Sequence, residues 1–227
     1  MSNQPHSENQ RIYARIEYEK VGRLRFLGHL DVAAAFDRAL RRAKLPVAYS
    51  EGFHPRAKLS FIHPLPVGVA GLHELCAIEL KEYIESATAG QRLHKQLPRG
   101  LNLLSIQVLP RQKRTPFADL DRADYVIDID PDKVGADELA LAVRDFLDRN
   151  SINIKRETKR RLRTVDIRSG THKLAVTNSQ KLQLQMSLSL AQDDLVKPVE
   201  VLQVLARLIG RSSLPVKLMT RVKLYRA

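Results

Sequence analysis

A single cysteine, Cys76, occurs in the 227 residues. One thiol closes no internal disulfide and builds no cysteine-based metal cluster, so a reducing compartment is expected and the cytoplasm is the predicted location. Long hydrophobic runs are missing as well. The apolar stretches are a few residues each, against the about 20 that cross a bilayer, so no membrane partner is expected. The first ten residues, MSNQPHSENQ, are polar and lack the basic-then-apolar pattern of a secretory signal. Neither G-x-x-x-x-G-K-[ST] nor G-x-G-x-x-G is present, which argues against nucleotide hydrolysis and dinucleotide cofactors. His54, His63 and His73 stand nine and ten residues apart, not a ligand spacing. No metal and no cofactor are expected.

What is abundant is positive charge. Thirty-eight Lys and Arg against twenty-five Asp and Glu leave +13. The excess is uneven: residues 117–150 hold ten acids, whereas eight Lys and Arg fall within Lys155–Lys173, including Lys159-Arg160-Arg161-x-Arg163. A general solubility charge would be spread more evenly. A basic cluster of this kind is the electrostatic footprint of a polyanion binder, because each Lys or Arg set against a phosphate releases condensed counterion. Asp124, Asp128 and Asp130 are the rival explanation, as acids that neutralise the cluster from within.

The length fits one large domain or two small ones. Ile12, Ala14, Ile16 and Tyr18 alternate with charged residues, predicting a half-buried strand over 11–19. A helix follows from His29 to Lys44, with Leu30, Ala33, Ala34 and Leu40 as the expected buried stripe, stopped by Pro46. Arg38, Arg41 and Arg42 share one face of it. A Gly- and Pro-punctuated segment leads to a short strand near Lys58–Ile62. Then come a strand over 73–81, a helix over Ser86–Leu97, and a strand over 101–109 with Leu104, Ile106 and Val108 inward. After Pro110 the order recurs: a strand around Tyr125–Ile129, a helix over 136–148, strands near 151–157, 162–168 and 181–190, a helix from Pro198, and a last strand. The reading is α+β, two ferredoxin-like βαββαβ halves with antiparallel sheets, the second carrying one extra strand. The domains are residues 1–110 (with 1–10 a polar tail), a basic linker at 111–116, and 117–227.

The segment Arg23–Gly68 carries more than periodicity. Phe26-Leu27-x-His29-Leu30-Asp31, Arg41-Arg42-Ala43-x-Leu45-Pro46, Ser50-Glu51-Gly52-Phe53-x-Pro55, Lys58, Leu65-Pro66-x-Gly68 and the later Val165-Asp166-Ile167-Arg168 resemble the radical-SAM-linked protein family. That family has no assigned activity; the resemblance implies association with a radical-SAM enzyme. This chain lacks the CxxxCxxC run that would hold such an enzyme's cluster. More distantly, two ferredoxin-like halves with a carboxylate-bearing loop after a helix resemble the pseudouridine synthases. Their catalytic residue is an Asp, where this chain has Glu51. The resemblance therefore implies a pseudouridine-synthase-like arrangement and RNA as partner, and does not carry the reaction over.

The candidate RNA-binding residues are Arg23, Arg25 and His29 at the start of the first helix, and Arg38, Arg41 and Arg42 on its face. His54, Arg56 and Lys58 follow in the loop, and Lys159, Arg160, Arg161, Arg163 and Arg168 in the second half. Binding residues concentrate on loops placed by rigid scaffolds. Asp31 and Glu51 are the candidate acid–base groups, while Cys76, on the same strand face as Ile78 and Leu80, is expected in the core. Three readings stand. The first is an RNA-binding protein acting in tRNA or rRNA modification or maturation, with a basic cleft for the phosphate backbone. The second is a non-catalytic partner subunit of a radical-SAM enzyme, betrayed by an apolar patch. The third is an RNA-modifying enzyme using Glu51 or Asp31.

Overall fold

In the strand β1 (Arg11–Lys20), Ile12, Ala14, Ile16 and Tyr18 take every second position and Arg11, Arg15, Glu17 and Glu19 fall between them, so the apolar side is driven out of water. The computed structural model describes residues 11–112, 115–117, 119–157 and 162–226. The chain divides into two units, Met1–Asp119 and Leu120–Ala227.

In the first unit β1 is followed by α1 (His29–Arg42), β2 (Leu59–Phe61), β3 (Val69–Leu80), α2 (Ser86–His94) and β4 (Leu101–Gln112). All pairings are antiparallel: β1 lies between β4 and β3, and β2 pairs with β3. This is the 4-1-3-2 order of a ferredoxin-like βαββαβ sheet. Ala14, Ile16 and Tyr18 of β1, Cys76 and Ile78 of β3, and Ala89 and Leu93 of α2 share one core with α1.

Helix α1 buries Val32, Ala35, Phe36, Ala39 and Leu40. This corrects the expected stripe: Ala34 is exposed, Ala33 is half-buried and Leu30 is 74% exposed. The alanines bury little area wherever they point. Phe36 outweighs them and sets the phase of the helix. A second correction falls in β4. Glu17 pairs with Ser105 and Tyr18 with Leu103, so one residue, Leu104, is bulged out of the ladder and exposed. Leu101 and Leu103 before the bulge, and Ile106 and Val108 after it, all reach the core. β4 also runs to Gln112, two residues into the expected linker.

The second unit comprises β5 (Arg122–Ile129), α3 (Ala136–Asp148), β6 (Asn153–Glu157), β7 (Leu162–Asp166), β8 (Thr171–Thr177), β9 (Gln183–Ser189), α4 (Pro198–Leu208) and β10 (Val216–Tyr225). β5 pairs with β10 and β9, and β9 with β8, all antiparallel. The order β10-β5-β9-β8 repeats 4-1-3-2 once β6 and β7 are set aside. Those two form their own two-stranded sheet, inserted between α3 and β8. The expected extra strand is thus a separate hairpin, and the sheet's edge strand β8 escaped the sequence reading. A register irregularity between Thr171 and Lys173 breaks its alternation, so no clean period-2 signal exists there. Among the described residues no helix is long and apolar enough to cross a membrane.

Candidate nucleic-acid interface

A polyanion is held by cations that the protein's own acids have not already neutralised. In the hairpin, register sets Arg156 directly opposite Arg163, and Lys155 opposite Thr164. Two guanidiniums side by side on one face repel unless one is compensated. Glu200, in the first turn of α4, compensates Arg156. Arg156 Nε and Nη2 donate to its two carboxylate oxygens at 2.9 and 2.7 Å, and Nη2 donates also to the Leu195 carbonyl at 2.9 Å. Glu200 further accepts from the Lys197 backbone N–H at 2.9 Å. The pair is nearly out of water, at 17% and 10% side-chain exposure. This bidentate clamp ties the inserted hairpin to α4.

Arg163 and Lys155 stay exposed, with no ion-pair partner among the described residues. Between hairpin and helix lies a groove of about 550 Å³ whose lining includes Lys155, Arg156, Lys197 and Arg207 against Glu157 and Glu200. Lys159, Arg160 and Arg161 lie outside the described residues.

The aspartates that offered the rival explanation are engaged elsewhere. Asp124 pairs with Lys223 at 3.4 Å, Asp128 with Lys181 at 3.8 Å, and Asp130 with Lys217 at 2.9 Å and Lys133 at 3.9 Å. The Lys217 hydrogen bond holds the Asp130 carboxyl below its ordinary range, and the same bond pushes Lys217 up. These acids are engaged by lysines, and among the described residues none of their ion pairs reaches Lys155 or Arg163 of the hairpin.

Arg168 is tied into its own unit. Its guanidinium donates to the Leu147 carbonyl at 3.2 and 3.1 Å and to the Thr171 carbonyl at 3.4 Å. The bonds to Leu147 satisfy a carbonyl in the last turn of α3, so the side chain helps close that helix.

In the first unit the loop between α1 and β2 is fastened at its base. Ser50 N–H donates to the Arg56 carbonyl at 2.9 Å, and Arg56 N–H returns to Ser50 Oγ at 3.0 Å. Arg41 donates to Asp37 at 2.8 Å and to the Pro55 carbonyl at 3.1 Å while its guanidinium lies 4.5 Å over the Tyr49 ring. Asp37 in turn accepts from Ala57 N–H at 3.4 Å. Beyond these struts Glu51, Phe53, His54 and Arg56 are all exposed. Lys58 pairs with Glu79 at 3.3 Å.

The expected arginine row on α1 therefore comes apart. Arg41 is a strut of the loop, and Arg42 donates to the Gln96 side chain and carbonyl at 3.1 and 2.6 Å. All three are exposed, but Arg38 alone has no partner among the described residues. At the start of the helix Arg23 is exposed, whereas Arg25 donates to the Gly22 carbonyl at 3.0 Å and covers the Phe26 ring. His29, also exposed, meets Phe61 edge to face with centroids 5.1 Å apart.

Asp31 is exposed in the first turn of α1, and Glu51 is exposed in the loop that follows that helix. Cys76 is fully buried and its thiol is pushed up by that burial, so it is no nucleophile at neutral pH. Among the described residues no cluster of three His, Cys, Asp or Glu side chains is placed to hold a metal.

The sequence reading missed the Arg156–Glu200 clamp, although an acid three residues after Lys197, behind Pro198, is a helix-start signature. It also passed over Phe53, whose signal was a large aromatic inside a Gly- and Pro-rich loop.

Residues 13–198 match a family described as "Uncharacterized protein conserved in bacteria (DUF2344)". No curated protein matches the chain. Among solved structures, a Cbf5-Nop10-Gar1 complex is similar at 14% identity and a TM-score of 0.47, over 93% of this chain and 48% of that one. The archaeal box H/ACA sRNP Nop10-Cbf5 complex is similar at 13% identity and 0.44, over 96% and 50%. The chain thus spans about half the length of the proteins it matches.

Proposed function

We propose that this chain, which belongs to the DUF2344 family of conserved bacterial proteins, binds RNA through cations its own acids leave uncompensated. In the second unit these are Lys155, Arg163, Lys197 and Arg207 around the hairpin groove, and in the first unit Arg38 and Arg56 beside the fastened loop. The role this fits is modification or maturation of tRNA or rRNA. One observation carries the reading: among the described residues Arg163 and Lys155 have no ion-pair partner, while Asp124, Asp128 and Asp130 are paired with Lys223, Lys181 and Lys217.

The test is the affinity for a structured RNA, such as a tRNA pool, as salt rises from 50 to 200 mM. Each phosphate contact contributes about 0.7–0.9 to the slope of log K against log salt. Replacing Lys155, Arg163 and Lys197 together by Ala is expected to weaken binding and flatten that slope by about two to three. An affinity indifferent to salt in the unaltered protein would refute the phosphate contacts.

A second reading, a docked protein, is favoured by an apolar cluster at the start of α1. Phe26, Leu30 and Val67 are each more than half exposed. The turn carrying Val67 lies against Gly28, with Val67 Cγ2 4.0 Å from where a Cβ on that glycine would sit, and Gly68 N–H donates to the Arg25 carbonyl at 2.9 Å. Under the family resemblance the partner is a radical-SAM enzyme. Leu30→Asp together with Val67→Asp is then expected to abolish co-purification with that enzyme while RNA affinity holds. Undiminished co-purification would discard this reading.

A further inference from the structure

Phe53 has a ring as exposed as in an extended chain, at 102% of the reference. Burying a phenylalanine is one of the larger hydrophobic gains open to a single side chain, and here the fold collects none of it. The ring is nevertheless held out on a supported base. The Ser50–Arg56 pair of bonds, Arg41 on the Pro55 carbonyl and Asp37 on Ala57 N–H fasten both ends of the loop, and Gly52 takes φ +112 at its tip. None of these contacts needs the ring, so Phe53 is presented by the loop and does not organise it.

Its surroundings decide what it meets. Glu51, His54 and Arg56 are exposed beside it, so the ring is a lone aromatic among polar groups. The apolar cluster of Phe26, Leu30 and Val67 lies at the first turn of α1, seven residues from the Asp37 anchor, or about 10 Å along the helix. A protein interface wants a contiguous apolar centre, which a single ring does not provide. A nucleobase wants one flat apolar face with polar and cationic groups at its edges. Arg56 is three residues on, and Arg38, exposed on α1, lies on the same side of the helix as Arg41, three residues away.

We propose that Phe53 stacks on an unpaired nucleobase while Arg38 and Arg56 hold the flanking phosphates. The RNA element this site takes is therefore a loop, bulge or extruded nucleotide, not a continuous duplex. The inference rests on the RNA-binding reading and adds to it the class of RNA and the residue that senses it. Stacking accepts any base, because every base offers a π-face, so the site selects unpairedness rather than sequence.

The experiment uses the full chain and two RNAs of equal length, a hairpin carrying 2-aminopurine in its loop and a fully paired duplex. Phe53→Ala is expected to weaken hairpin binding by about 5- to 150-fold, the range for removing one base-stacking aromatic. It should abolish the change in 2-aminopurine fluorescence and leave duplex affinity, salt slope and thermal midpoint unchanged. Phe53→Tyr should retain most of the hairpin affinity. Equal hairpin affinity for Phe53→Ala and the unaltered protein, with salt dependence intact, overturns the stacking role and leaves the RNA reading standing. Loss of a co-purifying protein from Phe53→Ala with RNA affinity intact assigns the ring to a protein and also overturns it. Failure of the unaltered protein to bind either RNA removes the RNA reading itself.

Discussion

Glu200→Ala is expected to destabilise the second unit by about 3–5 kcal/mol, the effect of removing one partner from a buried ion pair. With the carboxylate gone, the Arg156 guanidinium keeps its hydrogen bond to the Leu195 carbonyl and loses both charged contacts in a nearly dry position. The Lys197 N–H at the entry to α4 loses its acceptor as well. Salt screens such a pair far less than it screens an exposed one, so the loss should persist at high ionic strength. Urea unfolding of Glu200→Ala, Arg156→Ala and the double variant gives the coupling between the two side chains. The double variant should be more stable than the sum of the single losses predicts, because it leaves no uncompensated charge. A Glu200→Ala loss below about 1 kcal/mol would mean that water reaches the pair. The same substitution should also reduce RNA affinity, since Arg163 and Lys155 ride on the hairpin that Glu200 tethers.

Phe36→Ala is expected to lower stability by about 3–5 kcal/mol, the range for deleting a fully buried aromatic ring. Phe36 is 0% exposed and meets Tyr18 and Phe61 edge to face, with centroids 5.0 and 5.7 Å away. Phe61 in turn supports His29. Removing the central ring therefore leaves a void shared by β1, β2 and the start of α1, and no single neighbour can collapse into it. Phe36→Leu keeps most of the volume and should lose under about 2 kcal/mol. Denaturant midpoints and amide exchange in β1 read both variants. Similar losses for Ala and Leu would show that ring geometry, more than volume, holds the site.

Where a segment's burial pattern alone decides its structure, the sequence was readable. β5 alternates cleanly in burial, β1 and β9 alternate in residue type along most of their length, and α3 carries two acids in its first turn and spans 136–148 as expected. Elsewhere two signals competed. In α1 the alanines fit any stripe, and only the size of Phe36 settles which face turns inward. In β4 and β8 an irregular register shifts the parity of the side chains, which no period-2 count foresees. The candidate site divides along a similar line. Clustering of positive charge is a property of the sequence, but which cations are already occupied is a property of the fold. Arg168, Arg41 and Arg42 share the composition of Arg163 and Arg38, yet the first three bond carbonyls and an amide that lie far off along the chain. Such partners are invisible before the helices are packed.

The insertion between α3 and β8 leaves the second unit's strand order complete without it. The four-stranded sheet therefore keeps every one of its pairings whether or not the appendage is there. One bidentate contact is what makes the appendage hard to remove: without its guanidinium, the acid at the start of α4 is left as an unmatched charge in a nearly dry position.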